Sequence, residues 1–300
     1  MAERPRIGLA LGTGGARGWC HIGAIRELAE MGIEADVVAG SSMGALVGAA
    51  HAGGRLDNLA RSAADLTWRN VLALMDMRLR GGGIVGGAGI EDFLGRLGLD
   101  GRIEDLALPF LAVATSLETG QEIWLREGVL AVAVRASAAM PGVFAPVELA
   151  GRWLVDGGLV NPVPVSAARA MGADVVIAIN PNHRNAPRYW QPGAPSALRN
   201  AMSGILPAMP ETLRGLLPEA PAEPEPGPPH YFETVTTSID IMTDRIRRAR
   251  LASDPPDVML GANLPGLGVL EFHRAAEAVE EGARMVRARQ DWIREVTGIG

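Results

Sequence analysis

Residues 36–50 read DVVAGSSMGALVGAA, and this stretch decides the fold. A short apolar run ends at Gly40-Ser41-Ser42-Met43-Gly44, which fits the pattern G-x-S-x-G, and small residues typical of a helix follow. A sharp turn between strand and helix presents one serine oxygen to a substrate carbonyl, and small residues allow the close packing that this turn needs. The context therefore favours a nucleophilic Ser42 over the alternative of an ordinary tight turn.

The residues before this turn indicate another strand that is followed by a helix. Residues 7–11 form a short apolar run that ends in glycines, and a helical pattern continues to about Met31, where Gly32 stops it. The first fifty residues thus read β-α-β-α, which is typical of a parallel sheet covered by helices. We therefore predict an α/β fold with a mostly parallel central sheet.

Further elements follow along the chain. The patterns predict strands at 110–116, 122–125, 143–149, 153–155, 174–179 and 258–260, and helices at 56–79, 90–97, 129–140, 163–171, 232–251 and 270 to about 296. Residues 181–229 are rich in Pro, Ala, Glu and Gly, and the low-complexity part at 218–229 cannot hold regular structure. We predict a single domain over residues 1–300, with a core at 6–180 and 231–297 and a flexible Pro-rich insertion at about 181–230.

The charge and cysteine content of the chain argue against some classes of protein. The net charge of −6 argues against nucleic acid as a general partner, because phosphate binding needs a basic surface. The single cysteine, Cys20, excludes an intrachain disulfide framework and suits a reducing compartment. The start of the chain has no signal-peptide pattern, and no run of 18 apolar residues occurs, so a cytoplasmic location is expected.

Asp156 is the acidic residue best suited to activate a serine. It ends a predicted strand in Leu154-Val155-Asp156-Gly157-Gly158, where two glycines allow a sharp turn and a close approach of substrate. A serine is a poor nucleophile without a base, so Ser42 and Asp156 form a candidate pair. The alternative is an ordinary Asx turn after a strand.

The loop Gly12-Thr13-Gly14-Gly15-Ala16-Arg17-Gly18 can supply hydrogen-bond donors to an oxyanion. Its glycines let successive N–H groups point the same way, and the following helix start adds its dipole. The alternative is a dinucleotide loop, with Glu34 or Asp36 about 20 residues further on. Against that alternative, Arg17 stands where the third glycine belongs and Ser42 is left without a role.

The three motifs together resemble the patatin-like phospholipase family, in particular its compact bacterial members. The resemblance rests on GTGGARG at 12–18, GSSMG at 40–44 and DGG at 156–158, with weaker support from segments 136–144 and 161–164. It covers about residues 6–180 well and the final hundred residues poorly. It implies a three-layer α/β/α patatin-like fold, and Thr13 departs from the family pattern, which usually has another glycine there.

The resemblance also implies a mechanism. Ser42 would be the acylated nucleophile and Asp156 its general base, without a histidine, in a hydrolase of lipid esters that needs no cofactor and no metal. Gly14, Gly15 and Ala16 would form the oxyanion hole, and Arg17 would steady it or bind a lipid phosphate. The remaining motif glycines are Gly12, Gly18, Gly40, Gly44, Gly157 and Gly158.

Other classes of function stay open at this point. An α/β-hydrolase triad would use Ser42, Asp156 and His273 in that order, although His273 lies in an apparent helical run. His21 and His51 lie on or beside predicted helices, and the five histidines lack metal-ligand spacing. A weakly active regulatory or adaptor protein and a nucleotide-binding oxidoreductase are the further alternatives.

Residues 198–217 within the insertion carry an interrupted apolar stripe beside Arg199 and Arg214. Such a stretch can lie on a lipid surface or cover the site as a lid, and the alternative is packing against the core or a partner. The expected partners are a lipid or ester substrate and, through 198–217, the inner face of the membrane. No sequence pattern specifies an oligomeric state.

Overall fold

The computed structural model describes residues 4–67, 88–183, 189 and 231–299. The strands of the described residues are β1 Ile7–Leu11, β2 Val37–Ser41, β3 Phe110–Ser116, β4 Glu122–Leu125, β5 Val147–Leu149, β6 Arg152–Asp156, β7 Val175–Asn180 and β8 Val258–Gly261. The helices are α1 Cys20–Glu30, α2 Met43–Ala52, α3 Leu56–Ala64, α4 Ala88–Arg96, α5 Leu130–Ser137, α6 Val165–Ala170, α7 Tyr231–Ser253, α8 Ala275–Arg287 and α9 Gln290–Thr297.

The eight strands form one sheet whose centre is parallel. The strand order is β5-β6-β3-β2-β1-β7-β8, and the five strands from β3 to β8 in this order run in the same direction. Strands β4, β5 and β6 run antiparallel to their neighbours. Every residue of β1, β2, β3 and β7 is buried, as expected when helices cover both faces of a sheet.

Two apolar layers enclose the sheet. Helices α1, α2, α5 and α8 contribute buried side chains on one face, and α6 with the end of α7 covers the other. Small residues fill much of both layers, which allows the helices to approach the sheet closely. The predicted three-layer α/β/α architecture is confirmed.

Strands β2 and β6 meet head to head along one edge of β3. Ser41, the last residue of β2, pairs with Val113, and Asp156, the last residue of β6, pairs with Ala114. Strand β4 pairs with β3 residues 112–115 and so overlaps both stretches. Because a strand has only two edges, β4 occupies the opposite one. The ends of β2 and β6 are therefore brought to neighbouring residues of β3.

The C-terminal part differs from the sequence prediction of one long helix. Residues 272–274 form a 3-10 turn, α8 packs against α1, and α9 begins after Arg289 and packs against β8. A single straight helix cannot follow both surfaces, and the division lets Ile293 become fully buried. The predicted strand at 143–149 is also shorter, because only Val147–Leu149 pairs with β6.

Several predictions lie outside the described residues. They are residues 68–79 of the helix expected at 56–79, most of the insertion at 181–230, and the apolar stripe at 198–217. The described part of that expected helix is shorter than predicted, because α3 ends at Ala64 and residues 65–67 are not helical. The single-domain organisation stays a prediction. Within the ranges that are described, no helix has the length and apolar character needed to cross a membrane.

The sharp turn between β2 and α2, called the elbow from here on, requires a glycine at position 44, and this can be tested. A Cβ atom there would lie 2.1 Å from the carbonyl oxygen of Leu11, so Gly44→Ala forces α2 away from β1. We expect this variant to lower the free energy of unfolding by about 3 kcal/mol in urea denaturation. Gly95→Ala is the matched control, because Gly95 also lies in a helix and nothing lies within 4 Å of its added Cβ. The account of the elbow is wrong if both variants are as stable as the parent protein.

Candidate active site

Ser42 occupies a strained position between β2 and α2. Its backbone angles are φ 56° and ψ −120°, a conformation that L-residues rarely adopt and that costs about 1–3 kcal/mol. The N–H of Ser42 donates to Ser137 Oγ at 2.9 Å, which helps to hold the turn. The predicted elbow is therefore present, with the serine at its apex.

Ser42 and Asp156 are in direct contact. Ser42 Oγ donates a hydrogen bond to Asp156 Oδ2 at 2.6 Å, and the N–H of Gly158 donates to Asp156 Oδ1 at 2.7 Å. Thr115 Oγ1 donates to the carbonyl oxygen of Asp156 and fixes the end of β6. The two side chains that the sequence separates by more than a hundred residues thus form one hydrogen-bonded pair.

The surroundings of Asp156 change its acidity. Burial raises the pKa of this carboxyl group to about 6, and the hydrogen bonds from Ser42 and Gly158 oppose that rise. Asp156 is 5% exposed and Ser42 is 8% exposed. A carboxylate with a pKa near 6 is largely ionised at pH 7 and is a stronger base than an exposed aspartate.

A hydrogen-bonded chain supports the elbow from behind. Ser41 Oγ donates to the carbonyl oxygen of Asn161 at 2.7 Å, and Asn161 Nδ2 donates to Glu122 Oε1 at 2.8 Å. Glu122 also forms an ion pair with Arg250 of α7 at 2.8 Å. Sequence reasoning missed these supports and Ser137, although Ser137 and Asn161 lie in the two segments that gave the weaker resemblance.

Several backbone N–H groups of the glycine loop already donate hydrogen bonds to other parts of the chain. The N–H groups of Gly12 and Thr13 donate to Ile179 and Pro162, and that of Ala16 donates to the carbonyl oxygen of Val269 at 2.8 Å. This bond removes Ala16 from the predicted oxyanion hole. The candidates for donors are therefore three residues that line the cavity with Ser42, namely Gly14, Gly15 and Met43, the first residue of α2.

The other motif glycines are places of close packing. A Cβ would lie within 3.0 Å of another atom at Gly12, Gly18, Gly40, Gly44, Gly157 and Gly158.

Arg17 points away from the predicted position at the oxyanion. Its Nε donates to the carbonyl oxygen of Leu267 and its Nη1 to Asn182 Oδ1, both at 2.8 Å. It lines a second, smaller cavity and does not line the one that contains Ser42. These contacts join the glycine loop to the C-terminal segment, and a role in binding phosphate stays a prediction.

The cavity at Ser42 has a volume of about 170 Å³ and a mostly apolar surface. Large apolar side chains form most of its wall, among them Trp19, Leu46, Phe93, Met140, Phe144 and Phe272. Such a wall accommodates a hydrocarbon chain and excludes water from the serine.

The described histidines do not complete a triad. His21, His51, His183 and His273 are all absent from the cavity wall. His21 is fully buried, and its Nε2 lies 2.8 Å from the carbonyl oxygen of Gly12, so it holds the glycine loop. The geometry favours a pair of Ser42 and Asp156 over the alternative triad with His273.

The dinucleotide alternative is also disfavoured. Asp36 accepts a hydrogen bond from the N–H of Ile7 at 2.7 Å and forms an ion pair with Arg4. These contacts within the chain occupy the carboxylate that a dinucleotide site would use to bind ribose. Among the described side chains, no cluster of His, Cys, Asp and Glu could hold a metal ion.

Comparisons with known proteins agree with the motifs. The profile of the family described as Patatin-like phospholipase matches residues 9–169. An "uncharacterized NTE family protein" of Mycobacterium bovis is 36% identical over 94% of this chain and 90% of its own length. Patatin-like phospholipase domain-containing protein 7 of Rattus norvegicus is 37% identical over 60% of this chain, which spans only 14% of that protein. Among solved structures, VipD from Legionella pneumophila aligns over 97% of this chain and 67% of its own, with 15% identity and a TM-score of 0.43.

Because neutral, buried His21 holds the glycine loop, we expect the free energy of unfolding of the protein to depend on pH. Burial lowers the pKa of His21 to about 4, whereas an unfolded chain protonates it below 6.5. The folded protein thus loses stability as the pH falls from 6.5 toward 4, and a His21→Leu variant does not suffer this loss.

We expect the parent protein to be about 1–3 kcal/mol more stable than His21→Leu at pH 7.5, because the variant leaves the Gly12 carbonyl without its donor. At pH 4.5 this difference should shrink by about 2 kcal/mol. Urea unfolding of both proteins at the two pH values gives the result. A difference that stays constant with pH contradicts the neutral, buried state of His21.

Proposed function

Because the chain belongs to the patatin-like phospholipase family, we propose that it is a serine hydrolase of lipid esters that works through Ser42 and Asp156. Membership of the family supports the hydrolysis of lipid esters in general. The single observation that carries the finer proposal is the 2.6 Å hydrogen bond from Ser42 Oγ to Asp156 Oδ2, two residues that line the same apolar cavity.

Acylation begins with Ser42. As its Oγ attacks the ester carbonyl carbon, the proton passes along the existing hydrogen bond to Asp156 Oδ2. The negative charge that develops on the carbonyl oxygen accepts hydrogen bonds from the amides of Gly14 and Gly15, and the N-terminus of α2 at Met43 adds its dipole. The alcohol then leaves with the proton from Asp156, and the acyl group stays on Ser42.

Deacylation reverses these roles. A water molecule loses a proton to Asp156 and attacks the acyl carbonyl, and the tetrahedral intermediate collapses to release the fatty acid. Ser42 recovers its proton from Asp156, and the pair returns to its starting state. Both half-reactions therefore need one base with a pKa near neutrality, which the burial of Asp156 provides.

The apolar wall suggests where the acyl chain lies. Trp19, Phe93 and Phe144 offer aromatic surface close to Ser42, and burial of a hydrocarbon chain against it contributes about 0.8 kcal/mol per CH₂ group. Contact with the membrane face through residues 198–217 remains a prediction on residues outside those described.

The proposal makes Asp156 the only base, and kinetics can test this. We expect Asp156→Asn to lower kcat/KM for a soluble ester by about 10³-fold, because Ser42 loses its proton acceptor, and Ser42→Ala to abolish acyl-enzyme formation. His273→Ala is the control and should keep the parent activity. A folded His273→Ala protein without activity would favour the α/β-hydrolase triad. A folded Asp156→Asn protein with full activity would show that Asp156 is not the base.

The acidity of Asp156 predicts the pH profile of the reaction. Only the ionised carboxylate can accept the serine proton, so kcat/KM should rise with pH and level off above an apparent pKa of about 6. Below pH 6 the rate should fall about tenfold per pH unit. Measurement with a soluble ester from pH 4.5 to 8.5 gives the profile. A rate that stays constant down to pH 4.5, as expected for a carboxyl group with the ordinary pKa of 3.8, would mean that Asp156 is not the buried base described above.

A further inference from the structure

A second, polar cavity lies beside the catalytic one. Its volume is about 20 Å³, and its wall includes Thr13, Arg17, Asn180, Thr243, Asp244 and Arg247. Four residues line both cavities, namely Thr13, Asn182, Asp240 and Thr243. The small cavity therefore adjoins the catalytic one at these four residues.

Two buried donors in this small cavity have no hydrogen-bond partner among the described residues. They are Asn180 Nδ2 and Arg247 Nε. Asn180 is 1% exposed, and its Oδ1 accepts the N–H of Asn182, so the amide is held with its donor side unused. Buried donors without a partner are rare in native proteins, and two in one cavity indicate a ligand atom that accepts hydrogen bonds.

The charges around the cavity balance. Asp244 pairs with Arg247 and Arg248 and accepts a hydrogen bond from Tyr189, so Arg247 already has a carboxylate partner. The wall contains two arginines and two aspartates in total, which are Arg17, Arg247, Asp240 and Asp244. The space holds a group of about the size of one water molecule, which is too small for a phosphate group. An uncharged oxygen fits this site, whereas a phosphate group does not.

We propose that the small cavity is a subsite for one uncharged hydroxyl group on the alcohol part of the ester substrate. The hydroxyl oxygen accepts hydrogen bonds from Asn180 Nδ2 and Arg247 Nε. This inference rests on the proposed function, because it places the acyl chain in the apolar cavity and directs the alcohol past Thr13. Thr13 lies against Gly158, whose N–H holds Asp156, so the shared wall is close to the reacting atoms.

The test compares two soluble esters of the same acid, propyl butanoate and 2,3-dihydroxypropyl butanoate. They have the same carbon skeleton and differ only in the hydroxyl groups of the alcohol. The ratio of their kcat/KM values is divided by the ratio of their alkaline hydrolysis rates, which removes the difference in intrinsic reactivity. We expect the parent protein to favour the dihydroxy ester by about tenfold, the effect of one or two net hydrogen bonds.

Variants identify the residues responsible. Arg247→Lys keeps the positive charge beside Asp244 but loses the Nε donor, and Asn180→Leu removes the amide. We expect each to reduce the preference for the dihydroxy ester by about fivefold while the propyl ester is hydrolysed as before. Arg248→Lys is the matched control. Arg248 also pairs with Asp244 but is 60% exposed and does not line the cavity, so its variant should keep the parent preference.

The outcomes separate the subsite from the proposed function. If the parent protein hydrolyses both esters without a preference, or if Arg247→Lys keeps the parent ratio, the subsite is wrong and the proposed function stands. If Asn180→Leu lowers both rates equally, Asn180 only supports the loop and the subsite is again wrong. If the parent protein hydrolyses neither ester, the proposed function fails and the subsite fails with it.

Discussion

One edge of β3 governs the candidate active site, because two strands share it from opposite ends. Strand β2 arrives parallel to β3 and β6 arrives antiparallel, and they stop at the adjacent residues Val113 and Ala114. Neither strand can extend further without meeting the other, so both chains must turn out of the sheet there. The turns carry Ser42 and Asp156, and the pairing of the sheet thereby sets the distance between the serine and its base.

Burial then determines what this pair can do. The apolar layers that hold the sheet together also remove water from Asp156, which raises its pKa to about 6 and makes it a useful base near neutral pH. The same dry surroundings form a wall suited to a hydrocarbon chain. The same apolar side chains therefore stabilise the fold and create the environment of the reaction. A few polar groups, such as Ser137, Thr115 and Asn161, form the hydrogen bonds that keep Ser42 and Asp156 aligned.

The parts that the sequence predicts well are those with local causes. A run of apolar residues followed by glycines identifies β1 and β2, and the elbow is recognisable because its close contacts admit only small residues. The parts that it misses depend on residues far apart in the chain. The amide of Ala16 is taken by Val269, the last helix divides to follow two surfaces, and the cavity at Asn180 and Arg247 joins β7 to α7. A short sequence pattern cannot predict contacts between residues that lie so far apart in the chain.

The central claim is that Ser42 is activated directly by Asp156. The most direct measurement is peptide mass spectrometry of the protein after treatment with a fluorophosphonate, which labels activated serines. We predict a single phosphonyl group on Ser42 in the parent protein and labelling at least about a hundredfold slower in Asp156→Asn, which lacks the base. Labelling of a different residue, or of Ser42 at the same rate in Asp156→Asn, would contradict the account.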